Sequence, residues 1–214
     1  MVVHKNVLLD GRLALFHQQQ KWLALADLHF GYEISQRAAG NLFPLWGMRN
    51  IETRLDHLWA DYKPRRLILL GDLVHNDAGA ERFFEFVQGL ERKCEVILIA
   101  GNHDDAIKTR LSEFKRPVVE SWQTDGFCFH HGDGTAKADA RIQIIGHHHP
   151  AGAVRDGAGL RLKLPAFVQQ KNRWIMPAFS PWAAGVNWFD KEGESKIWLC
   201  SPERILQLGS AARG

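Results

Sequence analysis

The chain has 214 residues, of which 45% are hydrophobic and 24% are charged, and its formal net charge is +3. This length favours a single domain over residues 1–214, and the composition excludes a wholly disordered chain, a collagen-like repeat and a coiled coil. No apolar run is long enough to span a membrane, and the first residues lack a signal peptide's apolar segment. The three cysteines have no paired spacing, so we expect free thiols in a cytoplasmic protein.

In chain order, the first predicted element is a hairpin in which 7–9 and 13–16 flank an Asp-Gly turn. Buried strands and amphipathic helices then alternate: strand 22–26, helix 48–62, strand 67–70, helix 80–90 and strand 96–100. Short apolar runs come next at 126–129, 141–145, 160–164, 173–176 and 196–200. The alternation predicts parallel strands with crossover helices, and the strand-rich second half predicts antiparallel additions. We therefore predict one α/β domain on mixed sheets.

Residues with metal-binding side chains come directly after five of these predicted strands, in the segments 27–29, 71–72, 101–104, 130–133 and 146–149. Because ligands bind at the carboxyl ends of strands in open α/β sheets, we expect the five ends to converge. Residues i and i+2 of an extended segment leave the same side, so Asp27 and His29 are expected to reach one ion. His147 and His149 repeat this spacing. Glycines at 71, 101 and 146 predict close approach of the backbone to the site.

The donor types narrow the choice of metal. Carboxylate, amide and imidazole donors without a thiolate favour Mn²⁺, Fe or Zn²⁺ and argue against a structural zinc site. Seven candidate ligands are too many for one ion with an open position, whereas two ions sharing Asp72 would use them all. The sequence therefore predicts a dinuclear centre.

These motifs, in this order over residues 27–149, resemble the calcineurin-like metallophosphoesterases. The resemblance implies a four-layer αββα sandwich with two central mixed β-sheets and two divalent metal ions. Mn²⁺ is the first choice for these ions, with Fe, Zn²⁺ or Mg²⁺ as alternatives. A closer similarity is to the bacterial ligase-associated DNA-damage-response phosphoesterases, through segments 27–31, 37–40, 71–75, 149–150 and 176–179 and the segment at Pro44.

The resemblance also implies a role for each residue of the motifs. One metal ion would be held by Asp27, His29, Asp72 and His149, and the other by Asp72, Asn102, His131 and His147. Two ions about 3.5–4 Å apart would lower the pKa of a bridging water and clamp the phosphoryl oxygens. His103 would stabilise the transition state or protonate the leaving oxygen. Asp104 would orient His103.

One ligand is ambiguous from the sequence, because His130 and His131 are adjacent and the strand phase allows either to point inward. The family's His-Gly pairing favours His131. His148 is expected to point away from the metals. His4, His17 and His57 lie outside every motif and are expected at the surface.

Candidate substrate contacts lie outside the ligand motifs. Arg37 is a candidate for a substrate phosphate, and His75 is a candidate for substrate contact or for a helix cap. Tyr32, Phe43 and Trp46 could form a wall beside the site or belong to the core. Residues 151–175 carry five basic residues against Asp156, a net charge of +4, which fits either a solvated hairpin or a phosphate-contacting surface.

The leading functional prediction is a metal-dependent phosphoesterase that hydrolyses phosphodiester bonds of DNA or another nucleic acid. The resemblance implies DNA-repair partners such as a ligase, a helicase or an exonuclease, and no membrane. The alternatives are a small-molecule phosphatase, a cyclic-nucleotide phosphodiesterase, or a non-catalytic scaffold of the same fold.

Overall fold

The computed structural model describes residues 1–4, 6–113, 117–134, 141–155, 158–190 and 194–208. Its first sheet has seven strands in chain order: β1 (Val2–His4), β2 (Val7–Asp10), β3 (Ala14–His17), β4 (Trp22–Ala26), β5 (Arg66–Leu70), β6 (Glu95–Ile99) and β7 (Val118–Val119). Strands β1 to β4 form an antiparallel meander, and β4 to β7 are parallel. The predicted hairpin and the three predicted buried strands of this half are all present.

The α-helices among the described residues all lie in the connections between β4 and β7: α1 (Tyr32–Ala38), α2 (Gly47–Tyr62), α3 (Ala80–Glu91) and α4 (Asp105–Glu113). Helix α2 buries Ile51, Leu55 and Leu58, which share one face at the helical spacing. Helices α1 and α4 are additions to the sequence prediction. No helix in the described part of the chain combines the length and the apolar character that crossing a membrane requires.

The second sheet has nine strands: β8 (Ser121–Thr124), β9 (Phe127–His130), β10 (Ile142–Ile145), β11 (Pro150–Arg155), β12 (Arg161–Gln170), β13 (Arg173–Ile175), β14 (Val186–Asn187), β15 (Lys196–Cys200) and β16 (Ile205–Leu208). The order is β14-β11-β12-β13-β10-β9-β8, and β15 pairs with β12 and β16. The expectation of antiparallel additions was incomplete, because β10 is parallel to both β9 and β13. These three strands give the second half its own parallel centre.

The larger hydrophobic cluster contains buried residues of both sheets and of α2 and α3. Trp22 of β4 contacts Phe129 of β9, with ring centroids 5.1 Å apart. A smaller cluster on the second sheet includes Val168 and Trp188, and Trp188 begins a 3-10 helix that ends at Asp190. The predicted α/β sandwich with two central mixed sheets is confirmed.

His17 was wrongly expected at the surface, since its side chain is buried in this core. Its ring lies 5.3 Å from that of Trp22 and 5.4 Å from that of Phe127, measured between centroids. The reason is that β3 pairs with strands on both sides and packs against the second sheet, so all four of its residues are buried. Its Nδ1 accepts a hydrogen bond from the Gln20 amide at 3.0 Å.

Candidate metal centre

The candidate centre lies where the carboxyl ends of β4, β5 and β6 meet those of β9 and β10. The two sheets are tied together at this point by backbone contacts. The His147 amide donates to both carboxylate oxygens of Asp27 at 3.0 Å. The Ser180 amide donates to the Asp27 carbonyl at 3.2 Å, and Ala26 bridges Ala178. The predicted strand ends therefore converge on one place.

Two groups of side chains within this cluster have the spacing of a metal site. His29, Asp72 and His149 form the first group, and Asp27, Asp72 and His131 form the second, with the ligand atoms of each group within 4.8 Å of one another. In the first, His29 Nε2 lies 3.4 Å from His149 Nε2. In the second, His131 Nε2 lies 3.4 Å from Asp72 Oδ1. Asp72 belongs to both groups, as predicted for a shared ligand.

The remaining two predicted ligands extend the second group. Asn102 Oδ1 and His147 Nδ1 each lie 3.1 Å from His131 Nε2. Asp27 adjoins both groups, because its Oδ1 is 3.6 Å from His131 Nδ1 and 3.7 Å from His149 Nε2. The structure thus brings all seven predicted ligands into one cluster.

The backbone at the ligands differs from the sequence prediction. Asp27, His29, Asp72, His147 and His149 all have left-handed backbone angles, with φ between 43° and 66°. The expectation of an extended segment was therefore wrong, since these residues lie beyond the strands, in turns. Left-handed conformations are uncommon for residues other than glycine and concentrate at functional sites.

Glycines make room for the ligands, as predicted. A Cβ atom at Gly71 would collide with the His131 ring, and Gly71 itself has a φ of +61°. A Cβ atom at Gly146 would lie 2.7 Å from Asp27 Oδ2 and 2.9 Å from Ala26 Cβ. Gly146 therefore permits the close approach of β10 to β4 at the metal centre.

The electrostatics of the cluster suit divalent cations. Asp27 and Asp72 are buried, and within the described ranges no Lys or Arg forms an ion pair with either carboxylate. Burial lowers the pKa of His29 to about 4, so its imidazole is neutral at pH 7 and can coordinate a metal. Burial opposes protonation of His149, but the hydrogen bond and charge of Asp27 outweigh it and raise its pKa. Buried carboxylates facing imidazole nitrogens form a donor set that fits two divalent ions.

The predicted catalytic residue His103 lies exposed at the edge of the cluster. Its amide donates to Asp72 Oδ1 at 3.3 Å, and its ring centroid is 6.5 Å from that of His29. The His75 ring is 6.2 Å from the His29 ring. Burial, together with the charge of His103, lowers the pKa of His75. Both imidazoles thus border the open side of the site.

Asp104 has a different set of partners from the one predicted. One carboxylate oxygen accepts from the Leu73 amide at 2.9 Å and the Val74 amide at 3.4 Å, and the other accepts from the Gly101 amide at 2.7 Å. The predicted bond to the His103 imidazole has no counterpart among these. Asp104 is fully buried, and it joins the loop after β6 to the loop after β5. It positions the backbone that carries Asp72 and Asn102.

The structure places the side chains of the adjacent residues His130 and His131 in different surroundings. His131 is 1% exposed and lies in the ligand cluster. His130 ends β9 and forms a side-chain hydrogen bond with Gln143, and burial lowers its pKa. His148 is half-buried, with its ring 5.8 Å from that of Trp188.

An aromatic cluster continues from His75 away from the metals and includes Trp182, which no sequence motif indicated. Tyr32 contacts His75 at 4.6 Å and Phe43 at 5.4 Å, measured between ring centroids. Trp182 lies 4.6 Å from Phe43 and 4.3 Å from Trp46. Trp46 remains 46% exposed. These contacts join Tyr32, Phe43 and Trp46 in one cluster with His75, and Arg37 is exposed in the last turn of α1.

Trp182 is fixed by a buried carboxylate. Its Nε1 donates to Glu33 Oε2 at 3.1 Å, and the other oxygen of Glu33 accepts from the Met48 amide at 2.7 Å. Trp182 and Glu33 are 149 residues apart in sequence, so no local pattern could have paired them.

The basic residues of segment 151–175 lie at opposite ends of β12. Strand β11 comes directly after His149 and pairs with β12, with Arg155 opposite Arg161. Strand β12 has ten residues, so it is about 30 Å long. Because β11 and β12 are antiparallel, Ala151 and Pro165 lie at the base of this hairpin, next to His149, and Arg155 and Arg161 lie at its tip. Arg173 pairs with Gln170 at the opposite end of β12. The hairpin formed by β11 and β12 is called the basic hairpin.

Comparison with known proteins agrees with this geometry. A profile of the calcineurin-like phosphoesterase family matches residues 21–174. The fold is similar to the crystal structure of a Pseudomonas putida nuclease, MPE, with a TM-score of 0.75, 25% identity and 94% of each chain covered. A weaker likeness is to Vps29 of Chaetomium thermophilum, with a TM-score of 0.41, 11% identity and 84% and 81% of the two chains covered. No curated protein sequence matches the chain. The match over most of its length shows that the chain belongs to the calcineurin-like phosphoesterase family and is a metal-dependent phosphoesterase.

Proposed function

We propose that this phosphoesterase uses two metal ions to cleave phosphodiester bonds in nucleic acid, with DNA as the substrate. The observation that carries the substrate assignment is the basic hairpin, which begins immediately after the ligand His149. Arg155, Arg161 and Lys163 are all exposed on it. Like charges directly opposite each other across two strands are destabilising, and binding a polyanion relieves that cost.

The similarity to a Pseudomonas nuclease supports this proposal. The segments that resemble the ligase-associated branch extend it to a role in DNA repair beside a ligase, a helicase or an exonuclease.

Two ions fit the site better than one because two donor groups share Asp72. One ion would be held by His29, Asp72 and His149, and the other by Asp72, Asn102, His131 and His147. Asp27, which belongs to the second group and also lies 3.7 Å from His149 Nε2, would be a ligand of either ion. When bound, two divalent ions, for which we propose Mn²⁺, supply an activated water and neutralise charge on the phosphoryl oxygens.

His103 is the candidate to protonate the leaving oxygen. It is exposed at the open side of the site, so its imidazole can exchange protons with solvent and reach a bound substrate. The hydrogen bond from its amide to Asp72 fixes its backbone relative to the shared ligand. Proton donation would therefore take place beside the centre that holds the phosphoryl group.

The aromatic cluster gives a second surface for a nucleic acid. Trp46 is partly exposed and packs on Trp182, and Tyr32 connects these rings to His75. Exposed aromatic faces stack on unpaired bases. The base of the basic hairpin adjoins the ligand His149, and these rings connect to the centre through His75.

The test compares cleavage of DNA with cleavage of a small diester, with Mn²⁺ present. Arg155→Ala/Arg161→Ala removes the two charges at the tip of the basic hairpin, and Lys171→Ala/Arg173→Ala removes two charges from the opposite end of the same segment. We expect the first variant to lose about tenfold in DNA-cleavage efficiency, with the salt dependence of binding reduced by about two phosphate contacts. Hydrolysis of bis-p-nitrophenyl phosphate should not change in either variant.

Two results would contradict the proposal. Equal losses in the two double variants would show that the charges at the hairpin tip do not contact DNA. Failure to cleave plasmid or oligonucleotide DNA, with efficient hydrolysis of a cyclic nucleotide or a phosphomonoester, would favour a small-molecule enzyme.

A further inference from the structure

A cavity of about 200 Å³ opens beside the ligand His149. Its walls come from α2, from the base of the basic hairpin and from residues 178–185. Arg54, Lys163 and Ser180 supply its polar groups, and no Asp or Glu is among the described residues that line it. The cavity is thus a positively charged space in direct contact with the metal centre.

Arg54 is the unusual residue of this cavity. Its guanidinium carbon lies 4.4 Å from the centroid of the Phe179 ring, and one nitrogen donates to Asn50 Oδ1 at 2.6 Å. Among the residues with described positions, no carboxylate forms an ion pair with it. Burial lowers its pKa to about 10, so it still carries its charge at pH 7. Arg54 is half-buried, so its guanidinium has lost part of its hydration, and an anion bound beside it would offset that cost.

Lys163 adds a second cation at the same cavity. Its Nζ donates to the Gly185 carbonyl at 2.7 Å, which holds the ammonium group against the wall. Residue Ser180 is buried, and its amide is bonded to Asp27. One stretch of backbone therefore supports both the metal ligand and the cavity, which fixes the distance between them.

We propose that this cavity binds a second phosphate group of the substrate, next to the phosphodiester that is cleaved, with Arg54 as the main contact and Lys163 as a lesser one. This inference rests on the proposed phosphodiesterase activity and names a feature of its substrate. A guanidinium group presents parallel N–H donors that match phosphate oxygens, and the Phe179 ring holds the plane of Arg54 in place. The ligand is a phosphate one nucleotide away, which can be an internucleotide or a terminal group.

The experiment uses the Mn²⁺-loaded enzyme and two chromogenic esters that differ by one phosphate. Thymidine 5′-(p-nitrophenyl phosphate) has a free 3′-hydroxyl, and its counterpart carries a 3′-phosphate. A third ester with a further nucleotide on the 3′-phosphate separates an internucleotide group from a terminal one. We expect the wild type to have a KM about tenfold lower for the esters with the second phosphate, as charge-assisted hydrogen bonds predict.

The decisive variant is Arg54→Met, which keeps the stem on Phe179 and removes the charge. It should raise KM about tenfold for the phosphorylated esters, leave kcat nearly unchanged and leave the ester without the second phosphate unaffected. Arg66→Met is the matched control, because Arg66 also lies over a ring, 4.7 Å from the centroid of Trp122, but stands at the opposite end of β5 from Asp72. Lys163→Met, at an exposed position, should show a smaller effect in the same direction and serves if Arg54→Met does not fold.

A binding measurement adds a readout that does not depend on turnover. Thymidine 3′,5′-bisphosphate should raise the unfolding temperature of the wild type more than thymidine 5′-monophosphate does, and Arg54→Met should remove this difference. Equal kinetic losses on all esters, or no loss on any, would overturn the proposal. Absence of DNA cleavage would instead overturn the proposed nucleic-acid substrate and leave the ester comparison valid.

Discussion

The two sheets contribute different chemistry to the same centre. The first sheet supplies the oxygen donors Asp27, Asp72 and Asn102, together with one imidazole, His29. The second sheet supplies only imidazoles, from the turns after β9 and β10. Neither half contains a complete ligand group, since both groups combine residues of the two sheets. The centre therefore forms only where the two sheets meet.

The two sheets also differ in the elements that surround them. Among the residues that the structure describes, the α-helices all belong to the first sheet, whereas the second sheet extends into the basic hairpin. The first half therefore holds its ligands within a covered scaffold. The second half adds the basic hairpin, whereas Tyr32, Trp46 and Arg54 of the first half supply other surfaces that we assign to the substrate.

The largest effect is expected from Asp72→Asn, because this carboxylate of the first sheet belongs to both ligand groups. Loss of a metal removes several kcal/mol of transition-state stabilisation, so kcat should fall by about 10³-fold or more. Metal content, measured by plasma mass spectrometry, should fall with it. Asp77→Asn is the control, since Asp77 is exposed and lies outside both groups. Full metal content in Asp72→Asn would refute the shared ligand.

The contribution of the second sheet is tested by a pair of adjacent substitutions. His131→Ala removes a ligand of the second group and should lower kcat by about 10²-fold, with partial loss of bound metal. His130→Ala should keep its metal, since His130 forms its hydrogen bond with Gln143. If His130→Ala loses the metal and His131→Ala retains it, then His130 and not His131 is the metal ligand.

The junction of the sheets is tested by Gly146→Ala. Its new methyl group would lie 2.7 Å from Asp27 Oδ2 and 2.9 Å from Ala26 Cβ, so β10 must move away from β4. We expect a loss of about 1–3 kcal/mol in the free energy of unfolding and weaker Mn²⁺ binding. Gly89→Ala in α3 is the control, because nothing lies within 4 Å of its new methyl group. A similar Mn²⁺ affinity in both variants would show that metal binding does not depend on the close approach of β10 to β4.

The smallest effect is expected within the first sheet alone. Asp10 accepts hydrogen bonds from Arg12 at 2.7 Å and from the Tyr62 hydroxyl at 2.6 Å. Burial acts to raise the pKa of Asp10, but these hydrogen bonds outweigh burial and lower it below 3.8. Asp10→Asn should therefore cost about 1 kcal/mol of unfolding free energy at neutral pH.

The direction of the pKa shift of Asp10 sets how the stability lost in Asp10→Asn depends on pH. A carboxyl whose pKa is lower in the folded state contributes stability above its unfolded pKa, and this is lost as the pH falls through the folded value. The difference between wild type and Asp10→Asn in urea unfolding should be constant above about pH 5 and should shrink below pH 3.8. A difference that grows on acidification would contradict the assigned hydrogen bonds.

Much of the site was predictable because its residues come directly after regular strands. The apolar run at 22–26 coincides with β4, and the ligand types after it indicate the chemistry directly. The turn after β4 was less predictable, since periodicity describes repeating conformations and not the left-handed backbone at Asp27. The carboxylate of Asp104 also gave no sign that its partners would be backbone amides. Arg54 is one charged residue among several on a helix, and only the fold brings it beside Phe179.

The left-handed ligand residues have a consequence for the energetics of folding. Each such residue costs on the order of 1–2 kcal/mol relative to an ordinary backbone conformation, and five of the ligands carry this cost. A ligand that binds only the folded chain returns free energy to it in proportion to the logarithm of its affinity. Bound ions would therefore contribute to the stability of the fold as well as to the chemistry of the site. We expect chelators to lower the unfolding temperature and to loosen the turns after β4 and β10 before the rest of either sheet.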